Sequence, residues 1–280
     1  MKKITIILSS IILFILVSFN IQGDLLWGAV PTGKEIEDPY LEKLFVTEFP
    51  FESIRIIVTK GEEKIMEKIN RELLQFFNEH YKPGIIGIVG TRGTIGMAIR
   101  EAQKKVTVDG EHSLWSHCFI FEDLRLDRRG KGGKKSRSPY IFESDLKVNV
   151  FKPQLRNGAQ ENWIGKHCRE RVVNAGVIDF GLSEDQRDNV LATALQLVDE
   201  QVLYPIQELL GTWWAIITKK EWRPNPVDDP HAMYCSAFVR CCYKEAGADF
   251  LIRKVSISNT TPEHIAQAGI KAGKLKLFNT

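Results

Sequence analysis

Apolar residues recur at helical spacing between Gly61 and Tyr81, at Ile65, Ile69, Leu73, Phe76 and Phe77, with charged residues between them. That spacing predicts an amphipathic helix with one buried stripe. Pro83-Gly84 ends it, and the apolar run from Ile85 to Val89 reads as a buried strand. A short helix follows over Thr94–Lys105. Trp115–Phe121 and Tyr140–Ser144 are short, aromatic and β-branched, which is strand composition. Lys147–Phe151 is a candidate third strand. Between the first two, Glu122–Pro139 is glycine-rich and basic and reads as a loop.

In the second half of the chain, Ser183-x-x-Gln186 has the form of a capping box opening a helix that reaches about Leu203. Pro205–Thr218 predicts another helix, apolar at Leu209, Leu210, Trp213, Trp214, Ile216 and Ile217. Its tryptophans read as core, with an apolar wall for an acyl chain as the alternative. Pro224, Pro226 and Pro230 form a stiff linker into a helix that starts at Cys235. This last helix is apolar nearly all round, so it is expected to be buried, and Gly247 supplies its C-terminal stop. The expected class is α+β, a small antiparallel sheet packed on a buried cysteine helix.

The N-terminus changes the picture of where the protein works. Lys2 and Lys3 precede the apolar run Ile4–Phe19, the pattern of an export signal. At about 1.5 Å per residue the run reaches ~24 Å, marginal against a bilayer core of about 30 Å. An uncleaved anchor therefore stands beside a removed signal, and either implies an extracytoplasmic face. The expected organisation is a signal or anchor over 1–22, an extension with the amphipathic helix over 23–82, and a catalytic domain over 83–280. A net charge of +3 is too small to point to nucleic acid. Five cysteines leave at least one thiol unpaired, and their spacing suggests no disulfide framework.

A thiol at the first turn of a helix is where the helix dipole and a nearby imidazolium favour thiolate, the reactive form. Cys235 occupies such a position. His117 lies on a predicted strand, and Glu143 lies on the next one, where an unpaired carboxylate would be costly. A hydrogen bond from the His117 ring to Glu143 would relieve that cost and orient the imidazole. His112 and His231 compete as the base. Alternation places His117 on one strand face with Trp115, Phe119 and Phe121, and Cys118 and Ile120 on the other.

Other chemistries are weaker. His117-Cys118, His167-Cys168, His112 and His231 supply zinc-type ligands, but no C-x-x-C or H-E-x-x-H pattern accompanies them. The glycines at 87, 90, 93 and 96 do not follow the dinucleotide spacing, so no cofactor is expected. The basic stretch Arg125–Arg137 reads as a solvated loop, with contact to anionic lipid or cell-wall polymer as the alternative.

The segments SLWSHCFIFED, YIFESDLKVNVFKPQL and YCSAFVRCCYKEAG occur in an order that resembles the circularly permuted NlpC-type papain-like hydrolases of the YiiX/YaeF group. Pro83–Ile86 resembles that family's opening strand, and Asn259–His264 its late turn before a helix. The resemblance implies that Cys235 is the nucleophile, His117 the general base and then acid, and Glu143 the orienting residue. The Cys235 backbone N–H would hold the oxyanion, with the Tyr234 hydroxyl as a helper or else as plain packing. It implies an amide or ester substrate, either a cell-wall-type peptide or a lipid-linked acyl group. A non-catalytic envelope binding module of the same fold is the alternative.

Overall fold

The computed structural model describes residues 60–127, 136–145, 158–169, 172–204, 206–225, 232–251 and 254–278. The apolar run Ile4–Phe19, the candidate strand Lys147–Phe151, His231 and the centre of the basic stretch, 128–135, lie outside the described residues. The chain divides into two compact units, Met1–Glu67 and Lys68–Thr280, and the sheet belongs to the second. Among the described residues no helix is long and apolar enough to cross a membrane.

The amphipathic stripe folds as helix α1, Lys60–His80. After it come strand β1, Ile86–Thr91, and helix α2, Thr94–Ala102, which stops before the expected Lys105 because 103–106 form turns. Strand β2 runs over His117–Asp127 and β3 over Ser136–Asp145. The expected loop Glu122–Pro139 is thus mostly strand. Pairing is interrupted between Phe121 and Leu124, then resumes from Leu124↔Pro139 to Asp127↔Ser136. A local irregularity absorbs the break, and the charged composition beyond it had read as loop.

Three strands were not expected: β4 (Gly158–Trp163), β5 (Val172–Ile178) and β6 (Leu275–Leu277). The remaining helices are α3 (Glu184–Asp199), α4 (Ile206–Ile217), α5 (Cys235–Glu245) and α6 (Pro262–Lys271). Ser183 closes the reciprocal capping box with Gln186, as its spacing implied. Gly247, at φ +68°, takes the left-handed conformation just past α5.

All six strands form one antiparallel sheet in the order β4-β3-β2-β1-β5-β6, so the class is α+β. Alternation sends Ile86, Ile88, Cys118, Ile120 and Phe142 to one face, where they pack with Val190 and Ala194 of α3, Phe238 and Val239 of α5, and Ile265 of α6. Val89, Phe119, Phe121 and Ile141 go to the other, against Leu73, Phe76 and Phe77 of α1. Trp115 departs from the expected alternation and joins the α5 face, because it precedes the first residue of β2. Each large apolar side chain buried this way contributes about 1.5–3 kcal/mol. Tyr243, fully buried on α5, donates from its hydroxyl to the Gly84 carbonyl at 2.6 Å and ties the helix to the start of β1. A Cβ at Gly87 would stand 2.0 Å from the Phe119 ring, and one at Gly90 would stand 1.8 Å from the Leu114 carbonyl oxygen. These two glycines serve close packing within the chain.

Candidate active site

Cys235 is the first residue of α5, and Tyr234 is its extended N-cap, which offers no side-chain cap. The backbone N–H groups of the first helical turn are therefore not closed off by the cap and present the positive end of the helix. The approach to that turn is fixed on both sides. Met233 N–H donates to the Leu203 carbonyl at 2.8 Å, and the Ser144 hydroxyl of β3 donates to the Met233 carbonyl.

The sulfur sits over the start of β2. The His117 ring and the thiol and backbone N–H of Cys118 all lie near enough to act on its charge. His117 Nε2 lies 2.7 Å from Glu143 Oε2, which leaves Nδ1 as the ring nitrogen for proton exchange with a thiol. Glu143 is fully buried, so its charge needs compensation. It finds four donors. His117 and His167 both reach Oε2 at 2.7 Å, while Asn162 reaches Oε1 at 2.7 Å and Lys166 reaches Oε1 at 2.6 Å. Lys166 also pairs with Asp145.

Register explains this convergence. Glu143 pairs with Gln160 across β3 and β4, so Asn162 is its same-face diagonal neighbour. Lys166 and His167 follow in the short 3₁₀ helix Ile164–Arg169 that continues β4. The His167 ring stacks on Phe119, with centroids 5.0 Å apart and planes at 4°. Its Nδ1 is buried without a hydrogen-bond partner among the described residues.

The electrostatics follow from these contacts. For Cys235, the hydrogen bond from the Cys118 thiol is the largest influence; burial opposes it, and the His117 charge and hydrogen bond then carry the thiol well below its ordinary value. Burial would depress the His117 ring, but the charge and hydrogen bond of Cys235, followed by those of Glu143, hold it well above the ordinary histidine value. Burial would raise the Glu143 carboxyl. Attraction to His167, hydrogen bonds from His117 and His167, and the Lys166 charge outweigh it, so the group stays well below the carboxylate range. The favoured state is thiolate beside imidazolium beside carboxylate. A carboxylate only accepts, which fixes a proton on His117 Nε2 and gives the neutral ring its lone pair at Nδ1.

Of the residues singled out from sequence, Cys235, His117 and Glu143 are brought together. Tyr234 is not free to help. Its single hydroxyl proton is donated to the Ser258 carbonyl at 2.8 Å, beside Thr212 Oγ1 at 3.2 Å, so the phenol is a core strut. His112 is exposed, and it takes no part in this hydrogen-bonded chain. Trp214 of α4, expected in the core, is 59% exposed. Asn162, Lys166, His167 and the Cys118 thiol were missed. The dipeptide His167-Cys168 was the one visible signal, and it read as a metal ligand pair.

His117, Glu143 and His167 place their ligand atoms within 4.8 Å of one another, a set that suits a divalent cation by donor type. The Lys166 ammonium on the same carboxylate opposes a second positive charge there. Two imidazole N–H donors and one ammonium already satisfy the anion. Cys168 does not join the set, since its thiol donates to the Ile164 carbonyl at 3.8 Å.

No protein-family model matches this chain, and no curated protein matches it either.

Proposed function

We propose that the protein is a thiol hydrolase or acyltransferase of the permuted papain-like type, acting on amide or ester bonds. The observation that carries this reading is the Cys235 sulfur at a helix N-terminus, near enough to His117 for each to act on the other's charge, with His117 Nε2 in turn 2.7 Å from Glu143. The Cys235 thiolate attacks the carbonyl carbon and forms a C–S bond. The developing oxyanion is met by the Cys235 backbone N–H. The His117 imidazolium gives its proton to the leaving nitrogen or oxygen as that bond breaks. The neutral ring then takes a proton from water or another acceptor, which attacks the thioester and releases the sulfur. Glu143 holds the imidazole in place and favours its charged form.

A peptide amide of cell-wall type or a lipid-linked acyl group is the substrate class we favour, with hydrolysis of an amide first. The lysines and apolar run at the N-terminus support an extracytoplasmic site of action, reached by export or by anchoring. The basic stretch Arg125–Arg137 is proposed to meet anionic membrane or cell-wall polymer there.

One observation favours a second reading, a binding module of the same fold without turnover. Cys235 is only 2% exposed and the His117 side chain keeps 13% of its surface in solvent, so a carbonyl has little open access to the sulfur. Iodoacetamide labelling across pH separates the two. The hydrolase reading requires rapid labelling of Cys235 well below pH ~8, lost in His117→Ala. Labelling that follows an ordinary thiol of about 8.5 favours the module. Profiling against cell-wall fragments and lipid extracts, with Cys235→Ala as the blank, then identifies the bond that is cut.

A further inference from the structure

The nucleophile position has a second thiol against it. Cys118 is fully buried, and it reaches Cys235 because α5 packs on the strand face opposite to Phe119. Both cysteines are free and buried in one packed cluster, α5 covers the strand face that carries Cys118, and each thiol acts on the other's ionisation. A hydroxyl could donate to the thiolate equally well, and an alanine could fill the space. A thiol adds one property that neither has, which is reducing power beside the most oxidisable sulfur of the chain.

We propose that Cys118 and Cys235 form a reversible oxidative switch, in which a hydroperoxide oxidises Cys235 and Cys118 then closes a Cys118–Cys235 disulfide. In the first step the Cys235 thiolate attacks one peroxide oxygen, an S–O bond forms, and the O–O bond breaks. The departing alkoxide or hydroxide takes the His117 proton. In the second step the Cys118 sulfur, losing its proton, displaces the hydroxyl of the Cys235 sulfenic acid, which leaves as water. Two thiols and one hydroperoxide thus give one disulfide, one alcohol or water from the peroxide, and one further water. Two electrons pass from sulfur to oxygen.

The other cysteines are poorly placed to compete. Cys242 lies seven residues along the same helix, about 10 Å up its axis from Cys235. Cys168 belongs to the opposite sheet face, and burial pushes its thiol up to about 12. Burial, then the hydrogen bond to Cys235 and that group's charge, hold Cys118 as a neutral thiol at rest. The pair therefore presents one thiolate and one proton-bearing partner, the arrangement of a reactive and a resolving cysteine. The closed disulfide removes the nucleophile and shields it from irreversible oxidation.

This inference shares the Cys235 thiolate with the proposed activity but needs no acyl chemistry, so the two can fail separately. The test treats the full chain with a small excess of hydrogen peroxide, alkylates the remaining thiols and maps the peptides by mass. Free thiols should fall by two of the five, with Cys118 and Cys235 in one linked peptide, and dithiothreitol should restore both. In Cys118→Ala the same treatment should carry Cys235 to sulfinic and sulfonic acids that dithiothreitol does not reverse. Should Cys118→Ala fail to fold, the wild-type map decides alone. Cys118 still alkylatable after Cys235 is oxidised, or no thiol lost in excess peroxide, overturns the switch. So does full dithiothreitol recovery in Cys118→Ala. A disulfide that forms in a protein with no turnover leaves the switch standing and sinks the hydrolase alone.

Discussion

Two buried charged networks flank helix α5, and they differ in what can move. Near the middle of the helix, Arg240 is held by Asp249 in two bonds at 3.2 and 3.1 Å, by the Val255 carbonyl at 2.6 Å and by Thr260 Oγ1 at 2.9 Å. At the N-terminus of the helix, Glu143 is held by two imidazoles, an ammonium and an amide. Both compensate a charge taken out of water. The first network locks guanidinium, carboxylate, carbonyl and hydroxyl in one arrangement, with no thiol or imidazole among its members. In the second, the Cys235 thiol raises the His117 ring and the ring lowers the thiol, so a proton can pass between the two. Burial of charge alone thus marks structure, and burial of charge beside groups that titrate marks chemistry.

The sharpest break of this contrast is Cys235→Ala. It should lower turnover of a cleaved amide or ester by about 10⁶-fold, measured as kcat. Its Tm should stay close to that of the wild type, since a small side chain is removed. Next, His117→Ala should lower iodoacetamide labelling of Cys235 at pH 6 by about 100-fold, with the midpoint of labelling moving toward the ordinary thiol value of about 8.5. A variant that labels like the wild type would merge the two networks into one structural kind.

Glu143→Gln should cost about 3 kcal/mol in urea unfolding at pH 7, because it leaves Lys166 and the imidazoles facing a neutral amide. Its sign with pH is also set. A carboxyl held below its unfolded value stabilises above about pH 4.3, and that contribution is lost as pH falls through the depressed native value. The wild type should therefore lose stability steeply on acidification, and Glu143→Gln less so. His117 acts in the opposite sense. Its raised value stabilises fully below about pH 6.5 and is lost as pH rises through the native value. The smallest effect belongs to Asp249→Asn, which keeps hydrogen bonding to Arg240 at a half-exposed position. It should cost about 1 kcal/mol in unfolding and leave the pH profile of Cys235 labelling unchanged. A shifted profile there would show that the networks communicate.

Much of the sulfur's mounting was legible in the chain. An apolar pattern around α5, a cysteine at its first turn and Gly247 after its end are local features. So is the strand alternation that separates His117 from Cys118. Asn162, Lys166 and His167 were not legible, because their meaning lies in the register of β4 against β3. The strand Gly158–Trp163 is polar at Gln160, Glu161 and Asn162, so periodicity gave it no strand signal. Asn162 is polar because a buried carboxylate across the ladder needs a donor, while Gln160 serves the Asp145 and Gly158 carbonyls. The Cys118 contact was missed for a related reason: alternation told which way the thiol points, but not that α5 would cover that face. Tyr234 was read by adjacency to Cys235, whereas its hydroxyl is drawn to the Ser258 carbonyl.

The order in which the site's parts occur along the chain bears on its birth. A ribosome delivers the imidazole of β2, then the carboxylate of β3, then the ammonium after β4, and the sulfur of α5 only after two more helices. A nascent chain halted in α4 would hold the whole proton-handling assembly with nothing to attack. One whose sheet had failed to close would carry only an ordinary, sluggish thiol. Reactivity therefore switches on only when α5 docks on the finished half of the sheet around β2, β3 and β4, and a labelled Cys235 is a certificate of that docking.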